Sequence, residues 1–227
     1  MPSSAVLRPN RLRPVTEPLS TFLFADLAGY TAMTEAHGDQ TASDLAGEFV
    51  ESVRDLMPAH HAEEVKLLGD AVMVRGEDPV LAVGLGLRLV REVGTRHGRP
   101  AVRVGMHTGP AVHARGDWFG ATVNVAARIS SLAKAGQVLV TEGTRTAAGR
   151  LCGVDLHPLG DHRLRNVREA VRLYAAESTD DKASPWPIDP VCRMAIDPGQ
   201  TAGRLIHGQT VFYFCSPECM SAFRPGA

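Results

Sequence analysis

Short apolar runs alternate with segments of helical spacing along the first half of the chain. The run STFLFAD, residues 20–26, is typical of a buried strand, and helical sequence follows it as far as Met57. Two further apolar runs flank Gly69 and Asp70 in EEVKLLGDAVMVRG, a pattern that predicts a β-hairpin.

A second helical segment and a further strand follow the hairpin. Residues 79–94, PVLAVGLGLRLVREVG, return to helical spacing, and residues 101–109, AVRVGMHTG, predict a strand. The order β-α-β-β-α-β is that of the split βαβ unit, so we expect an α/β (α+β) fold with a ferredoxin-like core. The first and third strands of such a sheet are antiparallel neighbours. Asp26 and Asp70 should therefore lie at one rim of the sheet.

Two adjacent carboxylates repel each other unless they share a proton or a cation. Hard oxygen ligands without a nearby histidine favour Mg²⁺ or Mn²⁺. Taken alone, Asp26 is more simply interpreted as a helix N-cap, but Asp70 favours a metal-binding role for the pair. The turn through Leu27, Ala28 and Gly29 into a helix offers backbone N–H groups to phosphate oxygens.

Composition sets the class of protein. A chain of 227 residues with 44% hydrophobic and 22% charged residues is an ordinary globular protein with room for one core and a small addition. A net charge of -1 gives no electrostatic case for binding nucleic acid or an acidic membrane surface. Residues 1–18 contain no apolar signal-peptide core, and the most apolar later stretch is too short to span a bilayer. We expect a cytoplasmic protein with no membrane insertion.

The four cysteines are unevenly distributed. Cys152 stands alone and is expected in the core, whereas the other three fall close to the C-terminus. The polar, proline-bearing residues 177–187 read as a linker. We therefore divide the remainder into a flexible tail at residues 1–18, a main domain at 19–176 and a small module at 188–227.

Four motifs in order, FADLAGY, KLLGDAVM, VRVGMHTG and DWFGATVNVAARI, resemble the class III nucleotidyl cyclase catalytic domain over nearly all of residues 20–176. The resemblance implies an active site formed between two catalytic domains, and hence a homodimer. It also implies that Asp26 and Asp70 hold two divalent ions, Mg²⁺ or Mn²⁺. These ions would activate the ribose 3′-hydroxyl and stabilise the leaving pyrophosphate.

The resemblance assigns two further pairs of residues. Lys66 and Asp117 match the purine-selecting pair, and their chemistry favours adenine: lysine donates to ring N1, and the carboxylate accepts from the exocyclic amine. Asn124 and Arg128, four residues apart on one helix face, would orient the ribose and stabilise charge on the α-phosphate. Taken singly, each residue also has a structural interpretation, as a turn former or a surface position.

Two arginines would complete the triphosphate site. Arg103 stands where the family has an arginine that reaches the phosphates, and the alternative is an exposed strand residue. Arg165 stands where the family usually has Lys-Gly, with Asn166 in place of the glycine. His107 is expected to be a satisfied strand histidine, and His60 and His61 are expected to be solvated near a helix end.

Residues 189–223 resemble the YHS domain, a small cysteine-bearing module, with Arg193 where that family commonly has glycine. Three thiolates there suit a soft metal, Zn²⁺ or Cu⁺, if His207, Asp189 or a water completed the set. The alternative is that the thiols are small buried hydrophobes. The three cysteines are Cys192, Cys215 and Cys219.

The leading hypothesis is an adenylate cyclase that converts ATP to 3′,5′-cyclic AMP and pyrophosphate. The YHS-like module would be a regulatory or partner-binding appendage. One alternative is a metal-handling or signalling scaffold whose cyclase-like domain serves only to dimerise. Another is a guanylate cyclase, which Lys66 and Asp117 disfavour.

Overall fold

A seven-stranded sheet forms the centre of the computed structural model, which describes residues 19–180 and 186–224. The predicted tail and part of the predicted linker lie outside the described residues. The strands of this sheet are β1 (Ser20–Leu27), β2 (Ala62–Leu68), β3 (Ala71–Gly76), β4 (Val102–Gly109), β7 (Val138–Thr141), β8 (Val154–His162) and β9 (Val171–Ser178). Their order across the sheet is β2-β3-β1-β4-β7-β9-β8.

Six α-helices and two small hairpins complete the described structure. The helices are α1 (Tyr30–His37), α2 (Asp39–Leu56), α3 (Pro79–Arg88), α4 (Ala121–Leu132), α5 (Glu142–Ala148) and α6 (Pro217–Ala222). A 3-10 turn, Pro58–His60, follows α2, and a π-helical turn, Leu89–Val93, continues α3. The hairpins pair β5 (Val112–Ala114) with β6 (Asp117–Phe119), and β10 (Gly203–His207) with β11 (Thr210–Phe214).

The predicted β-α-β-β-α-β order is confirmed, and β1 lies antiparallel between β3 and β4. Gly69 and Asp70 form the turn between β2 and β3. The first predicted helical segment is divided into α1 and α2 at Gly38, whose φ of 84° is one that glycine adopts without steric strain. Among the described residues, no helix is both long and apolar enough to cross a membrane.

The two faces of the sheet are covered differently. Leu23, Ala25 and Leu27 point into the larger core, against α2 and α3, whereas Phe22 and Phe24 belong to a second cluster that includes residues of α4. Alternation along β1 therefore places Asp26 on the α4 face.

Close contact between α4 and β4 depends on Gly105. A Cβ atom there would lie 2.2 Å from the backbone nitrogen of Ser130, so only glycine allows the helix to rest on the strand. This contact fixes the height of α4 above the sheet and thereby positions the side chains that the helix carries.

The C-terminal segment, residues 186–224, packs on α1 and α2. A buried apolar cluster joins Met33 and Ala42 of these helices to Met194 and Phe214 of the segment. Two backbone hydrogen bonds extend the contact to the loop before β4: the N–H of Ala101 donates to Arg193 O and the N–H of Ala195 to Arg99 O, each at 2.9 Å.

Two predicted environments are wrong. Cys152, expected in the core, is exposed at the turn before β8, where the chain reverses between α5 and the sheet edge. His60, expected to be solvated, is only 8% exposed because the chain folds back after α2, and its Nδ1 contacts Leu56 O at 2.8 Å. His61 is exposed, as expected.

Candidate active site

Asp26, Asp70 and Arg103 lie together at one rim of the sheet. Asp26 pairs with Ala71 of β3 on one side and with Arg103 of β4 on the other, and Asp70 directly precedes Ala71. Arg103 Nε donates to Asp26 Oδ2 at 2.8 Å, and Arg103 Nη2 also donates to that oxygen. Arg103 is therefore a counter-ion of Asp26 in this structure rather than an exposed strand residue.

The two carboxylates interact with each other as well. The pKa of Asp70 is raised to about 6, first by burial, then by a hydrogen bond to Asp26 and by its negative charge. The Asp26 side chain is 13% exposed, so little water screens the repulsion between the two groups. This rim favours a cation, and Arg103 already supplies one positive charge to it. Asp26 belongs to β1 and caps no helix, since Gly29 is the N-cap of α1.

Lys66 and Asp117 form a second contact on the α4 face. Lys66 pairs with Met73, a member of the cluster beneath α4, and its Nζ donates to Asp117 Oδ2 at 2.6 Å. The hydrogen bond from Lys66, helped by the N–H of Trp118, lowers the pKa of Asp117. The two side chains predicted to select the purine thus present a donor and an acceptor side by side.

Asn124 and Arg128 lie one turn apart on α4, whose N-cap, Gly120, directly follows β6. Asn124 is exposed, whereas Arg128 is half-buried. In the described part of the chain, Arg128 Nε is buried and has no hydrogen-bond partner. An unsatisfied guanidinium N–H is costly, and an anionic ligand is one way to satisfy it.

The remaining predicted triphosphate contacts are less complete. Arg165 is exposed in the loop between β8 and β9. These strands lie at the opposite edge of the sheet from the β2–β3 hairpin, so Arg165 and Asp70 of the same chain are far apart. Asn166 has a φ of 60°, a left-handed backbone conformation that glycine adopts easily and asparagine tolerates, which explains why the related family usually has glycine at this position. Among the three loop residues, the prediction fails for Ala28, because its N–H already donates to Ala101 O at 2.8 Å. The amides of Leu27 and Gly29 stay predictions.

Three cysteines and one histidine converge at the other end of α1. The Sγ atoms of Cys192, Cys215 and Cys219 and a ring nitrogen of His37 all lie within 4.8 Å of one another. Of the predicted fourth partners, Asp189 accepts the N–H groups of Val191, Cys192 and Cys215 instead, and His207 is exposed on β10. Sequence analysis missed His37 because only folding brings α1 to the cysteines.

The hydrogen bonds and burial of these thiols favour their neutral form when they are alone. Burial raises the pKa of Cys219 to about 11. A hydrogen bond to Cys192, followed by burial, raises the pKa of Cys215. His107, by contrast, is an ordinary strand histidine, as predicted: its Nδ1 contacts Thr141 Oγ1 at 2.7 Å.

Known proteins resemble a large part of this chain. The chain is 39% identical over 157 residues to a pH-sensitive adenylate cyclase of Mycobacterium tuberculosis, a match that covers 68% of this chain and 39% of the relative. It is 37% identical over 117 residues to an adenylate cyclase of Streptomyces griseus, covering 52% of this chain and 29% of that protein. The chain thus spans well under half the length of these relatives.

The fold has solved counterparts. The structure of an adenylate cyclase of Trypanosoma brucei in its monomeric state matches with a TM-score of 0.65 at 25% identity, covering 76% of this chain and 95% of that one. Residues 16–177, more than half of the chain, match the adenylate and guanylate cyclase catalytic domain. The chain therefore belongs to the adenylate and guanylate cyclase catalytic domain family.

Proposed function

We propose that this protein is an adenylate cyclase that converts ATP to 3′,5′-cyclic AMP and pyrophosphate. The observation that carries the choice of ATP is the contact between Lys66 and Asp117, which places an N–H donor beside a carboxylate acceptor. Adenine offers the complementary groups, a ring N1 acceptor and an exocyclic amine donor. Guanine offers N1–H and O6 and would meet both side chains with the wrong polarity.

The carboxylate rim suits hard divalent cations. Asp26 and Asp70 provide oxygen ligands next to each other, and burial together with the neighbouring Asp26 carboxylate raises the pKa of Asp70. Mg²⁺ or Mn²⁺ held by these carboxylates would supply Lewis acidity for the 3′-hydroxyl and neutralise charge on the triphosphate. The chain contributes Arg103 to the same rim, and we propose that this guanidinium turns from Asp26 to the phosphates when cations bind.

The residues of α4 would act on the α-phosphate. Arg128 presents a buried, unsatisfied Nε–H, and Asn124 lies one turn before it. An oriented guanidinium next to the α-phosphate would stabilise the charge that develops there in the transition state. The N-terminus of α1 has no side-chain cap, so its first amides remain suited to phosphate oxygens.

We propose that the complete site forms between two copies of the chain. The described contacts join Asp26, Asp70 and Arg103 in one group and Lys66 and Asp117 in another, and no hydrogen bond joins the two groups among the described residues. Exposed apolar side chains lie on the β2–β3 hairpin, which carries Lys66 and Asp70, and on the β5–β6 hairpin, which carries Asp117. They are Leu67 (44% exposed) and Leu68 (45%) on β2, Val112 (47%) on β5 and Phe119 (49%) on β6. A second copy, bringing the complementary group, would cover them.

The C-terminal segment has a separate proposed role. We propose that it is a YHS-like module that regulates the cyclase. Arg193, which replaces the usual glycine of that family, has a φ of 63°, so the backbone there has the conformation that glycine favours. The close approach of the three cysteines supports this proposal.

The test is product formation by the purified full chain. With ATP and Mg²⁺ or Mn²⁺, we expect cyclic AMP and pyrophosphate in equal amounts, and much less product with GTP. Asp70→Asn should reduce turnover by a factor of about 100 or more, since it removes a cation ligand. Asp155→Asn, at an exposed position on β8, is the matched control and should leave turnover unchanged. A folded dimer that forms no product from either nucleotide would favour a scaffold instead.

A further inference from the structure

The cluster of His37 with the three cysteines has the dimensions of a metal site. Cys215 Sγ lies 3.3 Å from Cys192 Sγ, 3.7 Å from Cys219 Sγ and 3.5 Å from His37 Nε2. The distance from His37 Nε2 to Cys219 Sγ is 4.0 Å. In a tetrahedral zinc site, bonds of about 2.3 Å to sulfur and about 2.0 Å to nitrogen place two sulfurs about 3.8 Å apart and sulfur and nitrogen about 3.5 Å apart. The four ligand atoms are already near these separations.

The surrounding residues hold the thiols in this arrangement. The buried carboxylate of Asp189 accepts the N–H of Cys192 at 3.2 Å and that of Cys215 at 2.9 Å, so one side chain positions two of the cysteines. Ser216 caps α6 and accepts the N–H of Cys219 at 3.2 Å. The site is therefore supported by backbone contacts that do not depend on an ion.

The cluster is partly shielded from water. Cys192 and Cys219 are fully buried, whereas His37 and Cys215 are half-buried. Met33 and Phe214 lie in the same apolar cluster as the cysteines. Met33 belongs to α1 and Phe214 to the C-terminal segment. The shell that excludes water is thus built jointly by the cyclase fold and that segment, as is the set of ligands.

We propose that His37, Cys192, Cys215 and Cys219 bind one zinc ion, and that the site is complete only when the C-terminal segment is docked on α1. Three thiolates and one imidazole form a structural zinc set, and hard cations such as Mg²⁺ prefer oxygen ligands. The ion would fasten the last residue of α1 to the segment that follows the catalytic domain.

Contacts of the docked segment connect the proposed zinc site to the candidate active site. The first residue before α1 is Gly29, where a Cβ atom would lie 2.6 Å from Arg193 Cγ. Two backbone hydrogen bonds continue from Arg193 towards the active site. The N–H of Ala101 donates to Arg193 O, and the N–H of Ala28, two residues after Asp26, donates to Ala101 O. Zinc would hold the His37 end of α1 against the segment, while the contact with Arg193 holds the Gly29 end. Removal of zinc would loosen the docking of the segment and should lower cyclase turnover. This last consequence rests on the proposed function; the metal site itself does not.

Cobalt(II) titration of the reduced full chain tests the site without an activity assay. The titration is done in excess Mg²⁺, which occupies oxygen sites. We expect one equivalent of Co²⁺ to give thiolate charge-transfer bands and the intense visible bands of a tetrahedral ion, both removed by one equivalent of Zn²⁺. No tetrahedral spectrum from the reduced protein, or a Cys192–Cys215 disulfide that forms in place of metal binding, would overturn the proposal.

Four variants locate the ligands. His37→Ala and Cys215→Ser should weaken Co²⁺ affinity at least about tenfold and change the visible bands, with circular dichroism showing that each is folded. His207→Ala and Cys152→Ser replace an exposed histidine and an exposed cysteine and should bind as the wild type does. An unchanged spectrum in His37→Ala would show that the fourth ligand lies elsewhere and overturn the shared site.

Activity then separates the site from its coupling to catalysis. Zinc-loaded wild type should turn over ATP several-fold faster than chelator-treated protein in the same Mg²⁺, and His37→Ala should show no such difference. Cobalt binding with equal turnover in both states would overturn the coupling and retain the site. Absence of turnover in every state would count against the proposed function, while the cobalt spectra would still decide the site.

Discussion

Lys66 of β2 and Asp117 of β6 lie on separate hairpins, 51 residues apart, and are joined by a 2.6 Å hydrogen bond. Lys66 is 37% and Asp117 27% exposed, so the pair is accessible to a ligand. Because partly exposed ion pairs contribute little to stability, we interpret this pair as a binding element rather than a structural one.

Reversing the polarity of this pair should change nucleotide preference. In the double variant Lys66→Glu with Asp117→Ser, we expect kcat/KM for ATP to fall by a factor of about 100, with a smaller loss or a gain for GTP. The measurement is kcat/KM for each nucleotide at fixed Mg²⁺. Glu63→Gln, on the exposed part of the same strand, is the control. An unchanged ratio of the two values would remove Lys66 and Asp117 from purine selection.

Arg128 should act mainly on the chemical step. Its Nε–H is buried without a partner in the described residues, so we expect it to bind charge that develops on the α-phosphate. Arg128→Ala should lower kcat by a factor of about 100 to 1000 and change KM much less. The control is Arg145→Ala, an exposed arginine on α5 that pairs with Glu142. A change confined to KM would assign Arg128 to substrate binding instead.

Gly105 should be required for stability. A Cβ atom there would meet the backbone of α4 at Ser130, which cannot move as a side chain end can, so we expect Gly105→Ala to lower the free energy of unfolding by about 3 kcal/mol. Gly47→Ala is the matched control, since nothing lies within 4 Å of its Cβ position on α2. That change should raise the free energy by about 0.5–1 kcal/mol. Urea unfolding midpoints give both values, and equal effects would contradict the close packing of α4 on β4.

His107 should make stability depend on pH. Burial lowers its pKa from 6.5 to about 4, so between these values the unfolded chain binds a proton that the folded chain does not. Its contribution to the free energy of unfolding is therefore constant above pH 6.5 and falls as the pH falls towards 4, by about 3 kcal/mol in all.

Comparison with His107→Gln isolates this contribution from that of the carboxylates. The variant should lose less stability than the wild type between pH 6.5 and pH 4, as measured by urea unfolding at each pH. Parallel curves for the two proteins would contradict the lowered pKa of His107.

The proximity of Asp26 and Asp70 can be predicted from the sequence because it depends only on the order of the strands. Antiparallel neighbours bring the end of one strand beside the start of the other. Arg103 was predicted on the right strand but with a different partner. A sequence shows that β4 follows a helix, but it does not show which rotamer a long side chain adopts beside a carboxylate, and here Arg103 pairs with Asp26.

His37 and His60 show where local pattern fails. Both lie at helix ends, where a polar residue is usually solvated, and nothing in the neighbouring sequence distinguishes them from His61. Their environments are set by distant segments: the C-terminal segment covers His37, and the chain after α2 folds over His60. Only tertiary packing could have placed these two residues.

The proposal that two copies of the chain share each active site is tested most directly by mixing two inactive variants, Asp26→Ala and Arg128→Ala, and measuring cyclic AMP. Each variant alone should be nearly inactive. If subunits exchange freely, half of the dimers are mixed and each has one intact site, so the mixture should recover about a quarter of wild-type turnover. Subunit exchange is followed separately with two affinity tags. No recovery from an exchanged mixture, with an active wild type, would contradict a site shared between two copies.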